Sequence, residues 1–415
     1  MNTIPSSERE YLRELAKKMY EYSQLPVMNE RRKKWYDVND CKPSASPIVI
    51  MEIGGFRGEY YPPMKCESSL GKDIEFYLRH NIMHHEIVND DTVIPDFYPV
   101  GIQKGFSFLT ESKPPKRLDG FAHVPTPLVE NLEDFPAYVE KKLNPRWTIN
   151  KEAYKTQLEV ISDILGDTLH VRLWGSCNAF PAAGPLFAVL GTENIFYALA
   201  DYPDSVKEFM QKLTDGYLAF LAECDEKEAV LPNSENHGIP MASCGFTREL
   251  PQPDGNKAVK VKDTWGYMNS QETEGISSDM FHEFFFPYYK CVADRFGMLS
   301  YGCCEDQGVT WEKSVSQFST LRKLSVSAFT DEEYMAEALK GRKIIYHRKP
   351  SPNYLTSDAG FDEEAFSEHI AKSVKIARGL PLHISFRDIL TIRHDKSRLA
   401  RAVTLTRNII EKYYK

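Results

Sequence analysis

The chain has 415 residues, 42% of them hydrophobic and 27% charged, with a net charge of −8 at pH 7. That acidic balance argues against a nucleic-acid or anionic-membrane partner. No apolar run approaches the ~20 residues needed to cross a bilayer. Eight scattered cysteines fit a reducing cytoplasm better than a disulfide framework.

The N-terminal segment lacks a basic start followed by an apolar stretch, so no signal peptide is expected. A first helix is predicted where Ser7 and Glu10 make a capping box ahead of Tyr11, Leu12, Leu15 and Met19. Residues 1–46 form a helical extension. Ile48-Val49-Ile50-Met51 then reads as a strand buried on both faces, ending at Glu52. His84-His85-Glu86 looks like a metal cluster, but adjacent histidines diverge on a helix, so the segment reads as an amphipathic face. Asp90-Asp91 closes that helix as a solvated pair or reaches toward the site.

Residues from about 101 to 146 hold many prolines and little periodicity and are expected to be an insertion. Helix and strand signals alternate beyond it. A helix through Leu158, Ile161 and Leu165 stops at Gly166. A strand runs from His170 to Gly175, and a helix carries Val206, Phe209, Met210 and Leu213. Residues 231–263, polar and rich in Pro and Gly, are expected to be a second insertion or lid. Trp265 to Met268 reads as a strand, and Met280 to Phe296 as an aromatic helix kinked at Pro287.

Four strands follow around Met298–Gly302, Leu324–Ala328, Lys343–His347 and Leu382–Phe386, with helices between them and a last helix from Ser397 to Tyr413. This alternation, without an early GxGxxG turn, predicts one α/β domain over 1–415: a (β/α)8 TIM barrel with both insertions over its mouth.

In such a barrel the site lies at the C-terminal strand ends. Those ends carry Glu52, Trp174, Asn269, Gln271, Glu272, Cys303 to Glu305, Lys349 and His383 to Asp388. In an extended strand end Cys303 and Glu305 point to one side and Cys304 to the other. Thiolate beside carboxylate suits zinc, with a third ligand needed from elsewhere. The plainer reading makes both cysteines small core residues and Glu305 a turn cap.

The order and spacing of Gly275 to Tyr289, of Leu321 to Phe329 and of Lys349-Pro350-Ser351-Pro352-Asn353 resemble the uroporphyrinogen decarboxylase superfamily, in its poorly characterised anaerobic branch. The turn Glu52-Ile53-Gly54-Gly55-Phe56-Arg57 departs from the arginine-rich pattern of the tetrapyrrole decarboxylases. The chain is more similar to the zinc-dependent corrinoid methyltransferases, which carry His-x-Cys after the fifth strand and another ligand at the eighth.

That resemblance implies zinc on Cys303, Glu305 and His383, with Cys304 as an alternative ligand. It implies methyl transfer from a small methylated oxygen, nitrogen or sulfur compound to a cobalamin (corrinoid) held by a partner protein. His237 or Asp388 would protonate the leaving group. Glu52, Arg57, Trp174, Asn269, Gln271, Glu272 and Lys349 would contact the substrate. The alternatives are a metal-assisted decarboxylase or lyase acting on a small carboxylic acid through Arg57 and Lys349, and a non-catalytic corrinoid- or metabolite-binding protein. A cytoplasmic chain, and a homodimer as one allowed assembly, complete these expectations.

Overall fold

The computed structural model describes residues 4–117, 123–253 and 257–414. Portions of both expected insertions, 118–122 and 254–256, lie outside the described residues, as do 1–3 of the helical extension.

Seven strands form one curled parallel sheet. Its spatial order is Ile48–Met51, Leu382–Phe386, Ile345–Arg348, Leu321–Val326, Met298–Tyr301, Trp265–Met268 and Asn178–Ala179. The first strand in sequence thus pairs with the last, as a closing sheet requires. Phe97–Val100 and His170–Leu173 make a separate parallel pair. The result is an α/β architecture compatible with a TIM barrel. Among the described residues, no helix is long and apolar enough to cross a membrane.

Period-2 alternation gives the sheet two different faces. Val49, Met51, Leu299, Leu324, Val326, Ile384 and Phe386 join the main apolar cluster with the helices. The opposite face carries Ile48, Ile50 and Ile345 with Trp35 and Phe246, and Trp265 and Met298 with Ile239 and Leu250. Between these apolar groups it also buries Lys323, Ser325, His347, Lys349, His383 and Ser385. A strand buried on both faces shows continuous burial, as all four residues of Ile48–Met51 do.

On its other edge, strand Ile48–Met51 bonds to carboxylates instead of to a neighbouring strand. Asp91 Oδ2 accepts from the Val49 amide at 2.8 Å, and Asp90 Oδ2 from the Met51 amide at 2.9 Å. Buried amides need partners, and these two aspartates supply them. Asp90 and Asp91 are therefore fully buried and not a solvated pair.

The helical extension forms Ser6–Ser23 and Pro26–Asn39. Its expected capping box is absent: Pro5 is the N-cap and Ser7 lies inside the helix. Glu8 instead accepts from the amides of Glu67 and Ser68. Trp35 of the second helix reaches the inner face and donates from Nε1 to Asp91 O.

The 231–263 segment reaches from the starts of the strands to their C-terminal ends, where Asn236, Gly238 and Ala242 line a cavity beside Glu52. Glu249 pairs with Arg322 at 2.9 Å and Lys343 at 2.6 Å, both at or before the starts of their strands. From there the hairpin Gly238–Ile239/Ser243–Cys244 runs along the inner face. Ser243 bonds Lys323, Trp265 donates to Gly245 O, and Met241 at the tip meets Arg387. The cause is its apolar content: Ile239, Phe246 and Leu250 complete the inner clusters. The 101–146 segment contributes a strand, Gln103–Ser107, paired antiparallel with Arg146–Asn150. It packs on helix Pro203–Glu226 through Phe106, Tyr217 and Phe220.

Candidate functional site

Strand Met298–Tyr301 ends at Gly302, whose φ is +98°. A Cβ there would lie 2.5 Å from Gln307 Nε2 and 2.8 Å from Ser325 Cβ, so the turn admits only glycine. This break ends the strand alternation on which the sequence reading relied. Cys303 and Cys304 do not diverge; their sulfurs lie 3.5 Å apart.

Glu305 folds back as a clasp. Its carboxylate accepts from the Cys303 amide at 2.8 Å, the Ser270 amide at 2.9 Å and the Ser270 hydroxyl at 3.2 Å. It joins the loop after the Met298 strand to the loop after the Trp265 strand. These bonds make it a structural cap, the plainer of the two sequence readings.

Lys349 Nζ donates to the carbonyls of Cys303 at 3.0 Å and Gly302 at 3.4 Å. Arg387 Nη1 approaches Cys303 Sγ at 3.9 Å. The Cys304 thiol donating to Cys303, with the charges of Lys349 and Arg387, draws the Cys303 thiol down to about 7 against the effect of burial. Cys304 moves upward, so Cys303 is the thiol of the pair that ionises first. Burial brings the Lys349 ammonium down to about 8, opposed by the Cys303 charge.

His383 is not part of this arrangement. It is the second residue of its strand, paired in register with Ile48 and His347, and fully buried. Its ring stacks on His347 at 4.0 Å and meets Trp35 edge-on at 5.1 Å. At ~3.3 Å rise per residue, it sits roughly 13 Å down the strand from Arg387. Cys303, Glu305 and His383 therefore do not converge on a zinc ion: one carboxylate is taken up by three donors and the imidazole lies deep in the sheet. Among the described residues, no three His, Cys, Asp or Glu side chains form a metal-binding group. Asp388 Oδ2 lies 3.5 Å from Cys304 Sγ.

The other expected residues divide. Glu52 pairs with Arg387, and Arg57 stands over the Phe76 ring at 4.7 Å. Trp174 stacks on His237 at 3.9 Å. His237 is buried, accepts the Glu235 amide on Nδ1, and is pushed down to about 3 by burial. It stays neutral, so the expected role as proton donor does not suit it. Asp388 is exposed beside Arg387 and Cys304. After the Trp265 strand, Asn269 is half-buried and Gln271 exposed, while burial raises Glu272 above its ordinary value.

A cavity of about 510 Å³ opens beside Glu52, lined among others by Arg57, Phe97, Trp174, His80 and His84. His80 escaped the sequence reading, and His84 was read there as part of an amphipathic face. Their i, i+4 spacing was the available signal. It was obscured because helix Ser69–Met83 passes into a π turn, His84–Val88, that resets which residues share a face.

No protein-family model matches the sequence, and comparison with curated proteins finds no match. Among solved structures, the chain is similar to a methyltransferase from Methanosarcina mazei, with a TM-score of 0.50 and 10% identity over 91% of this chain and 98% of that one. At that identity the likeness is one of fold. A GH138 enzyme targeting pectin rhamnogalacturonan II also aligns, with a TM-score of 0.25 and 11% identity, over 86% of this chain and 45% of that one.

Proposed function

We propose that the protein is a methyl-transfer enzyme built on a (β/α)8 barrel. A small methylated oxygen, nitrogen or sulfur compound would occupy the cavity beside Glu52. The methyl acceptor would be a corrinoid carried by a partner protein. The fold shared with a methyltransferase along most of both chains supports this reading.

The observation that carries it is the pair of cations held at the C-terminal strand ends: Arg387, bonded to the cavity-lining Glu52, and Lys349, bonded to the Cys303 carbonyl. When a methyl group leaves a heteroatom, the bonding electrons stay behind and the heteroatom gains negative charge. Preorganised cations in a water-poor site stabilise that charge strongly. The zinc set implied by the resemblance does not assemble, so no step is assigned to a metal. Arg387 is fixed by Glu52 and Lys349 by two carbonyls, and neither must reorganise as the charge develops.

One observation favours a lyase or decarboxylase on a small acid instead. Arg57 lines the cavity and has no carboxylate partner among the described residues, so it is free to grip a substrate carboxylate. Anaerobic incubation with reduced cobalamin and a panel of methylated compounds separates the two readings. Methylcobalamin with a demethylated product supports transfer. Carbon dioxide release without methylcobalamin supports the lyase.

A further inference from the structure

His84, which lines the cavity, forms a histidine–carboxylate couple with Asp90. His84 Nδ1 lies 3.1 and 3.2 Å from the two carboxylate oxygens of Asp90. Asp90 is fixed from the backbone as well: Oδ2 accepts from the Met51 amide at 2.9 Å and Oδ1 from the Thr92 amide at 3.0 Å. Burial alone would favour its neutral form, but His84 and these hydrogen bonds hold the carboxyl at about 2. Beside an ionised Asp90 the proton of a neutral His84 sits on Nδ1, where the Thr92 hydroxyl oxygen at 3.1 Å is a further acceptor. Nε2, on the far edge of the ring, has no hydrogen-bond partner among the described residues, and the side chain lines the cavity.

The local backbone serves this placement. The π turn ends at Asn89, whose φ is +54° and whose amide returns to the His84 carbonyl at 2.7 Å. That reversal brings Asp90 back under the ring of His84. His80, one turn earlier, meets His84 edge-on at 4.8 Å and is tied through Nδ1 to the Tyr61 hydroxyl at 2.8 Å. Burial pushes His80 down to about 3, so it remains a neutral neighbour. Arg57 lines the same cavity.

We propose that His84, oriented by Asp90, is the proton-transfer residue of this cavity, acting on an O–H, S–H or N–H group of a small bound molecule. In the transfer direction the role rests on the methyl-transfer reading. The bond between heteroatom and methyl carbon breaks, its electron pair stays on the heteroatom, and the acceptor supplies the pair for the new bond to carbon. The imidazolium proton on Nε2 passes to the heteroatom, leaving neutral His84 to be reprotonated by solvent. Asp90 is a positioning residue: it keeps the reactive nitrogen turned toward the cavity.

Two measurements on the full chain judge the assignment without any turnover. Nitrogen-15 correlation spectra of histidine-labelled protein, with His84 assigned from the His84→Gln variant, should show the Nδ1–H tautomer. Diethyl pyrocarbonate, the probe for an accessible neutral imidazole nitrogen, should modify His84 in the native chain, mapped by mass spectrometry. An Nε2–H tautomer, or modification only after unfolding, overturns the proposal. In the transfer assay His84→Gln should lower kcat by about 10²–10⁴-fold with little change in KM, and a substrate with a better leaving group should lose less. Wild-type transfer with full activity in His84→Gln overturns the proposal while leaving the methyl-transfer reading standing. A wild-type chain without transfer overturns that reading, and the tautomer and labelling results still decide the role of His84.

Discussion

Arg387 donates to both oxygens of the Glu52 carboxylate, from Nε at 3.0 Å and from Nη2 at 3.4 Å. The two residues follow the last and first strands of the sheet and lie 335 positions apart in sequence. The pair fixes the guanidinium between Glu52, which lines the cavity, and the Cys303 thiol.

That arrangement makes Cys303 the reactive member of the cysteine pair. Alkylation by iodoacetamide, followed by peptide mapping across pH, should show Cys303 reacting with a midpoint near 7, well before Cys304. Lys349→Met removes a nearby positive charge and should move the midpoint upward. Equal reactivity of both thiols with an unperturbed midpoint would show that the geometry does not polarise the pair.

Glu305 is expected to matter for folding. Glu305→Ala leaves two buried amide donors, those of Ser270 and Cys303, without their acceptor. Stability should fall by about 2–4 kcal/mol in urea denaturation. His383→Gln should leave unchanged any zinc that the chain takes up, because His383 lies far from the thiols. A loss of zinc affinity in His383→Gln, with stability unaltered in Glu305→Ala, would restore the ligand set that the resemblance implied.

Lys323 should leave a signature in the pH dependence of stability. It is fully buried against Ser243 and the rings of Trp35 and Trp265, and burial lowers its ammonium to about 7. In the unfolded chain lysine titrates near ~10.4. Between these values the unfolded chain binds the extra proton, so folding stability rises with pH by up to about 1.4 kcal/mol per unit. The contribution is complete above the unfolded value and is lost as pH falls toward 7. Lys323→Met should flatten the rise, as read from urea midpoints at pH 7, 8 and 9. An unchanged slope would mean that Lys323 stays charged in the fold.

The buried histidines act in the acid range. His80 and His237 are each held near 3, against ~6.5 unfolded. Their contribution is present above the unfolded value and is lost as pH falls from about 6.5 toward 3. His237→Gln should therefore reduce the steepness of acid unfolding by about one proton, measured as the slope of stability against pH.

The strands and helices were legible where one periodicity governed a whole segment. Ile48–Met51 and Ser397–Tyr413 emerge with the bounds their apolar patterns suggested. Continuous burial told of a sheet covered on both sides, but not that a hairpin from 231–263 would cover part of the inner face. That hairpin has short strands and a tip at Met241 and Ala242 with positive φ, so no periodicity announces it. The site was legible in its location and less so in its contacts. The alternation rule placed Cys303 and Glu305 on one side, and Gly302 cancelled that rule one residue earlier. Asp90 was visible as a residue but not as the partner of His84, because the π turn and the αL residue Asn89 that join them follow no helical repeat.

The most direct test of methyl transfer at this cavity follows a carbon-13 methyl label from substrate to cobalamin by NMR, with the wild-type chain and with an Arg387→Met variant. The account predicts label in methylcobalamin in stoichiometric balance with demethylated product, and a rate at least about tenfold lower in Arg387→Met, because a charge developing in the site loses a fixed cation. Label that stays on the substrate while carbon dioxide is released, or equal transfer rates in the two proteins, would contradict it.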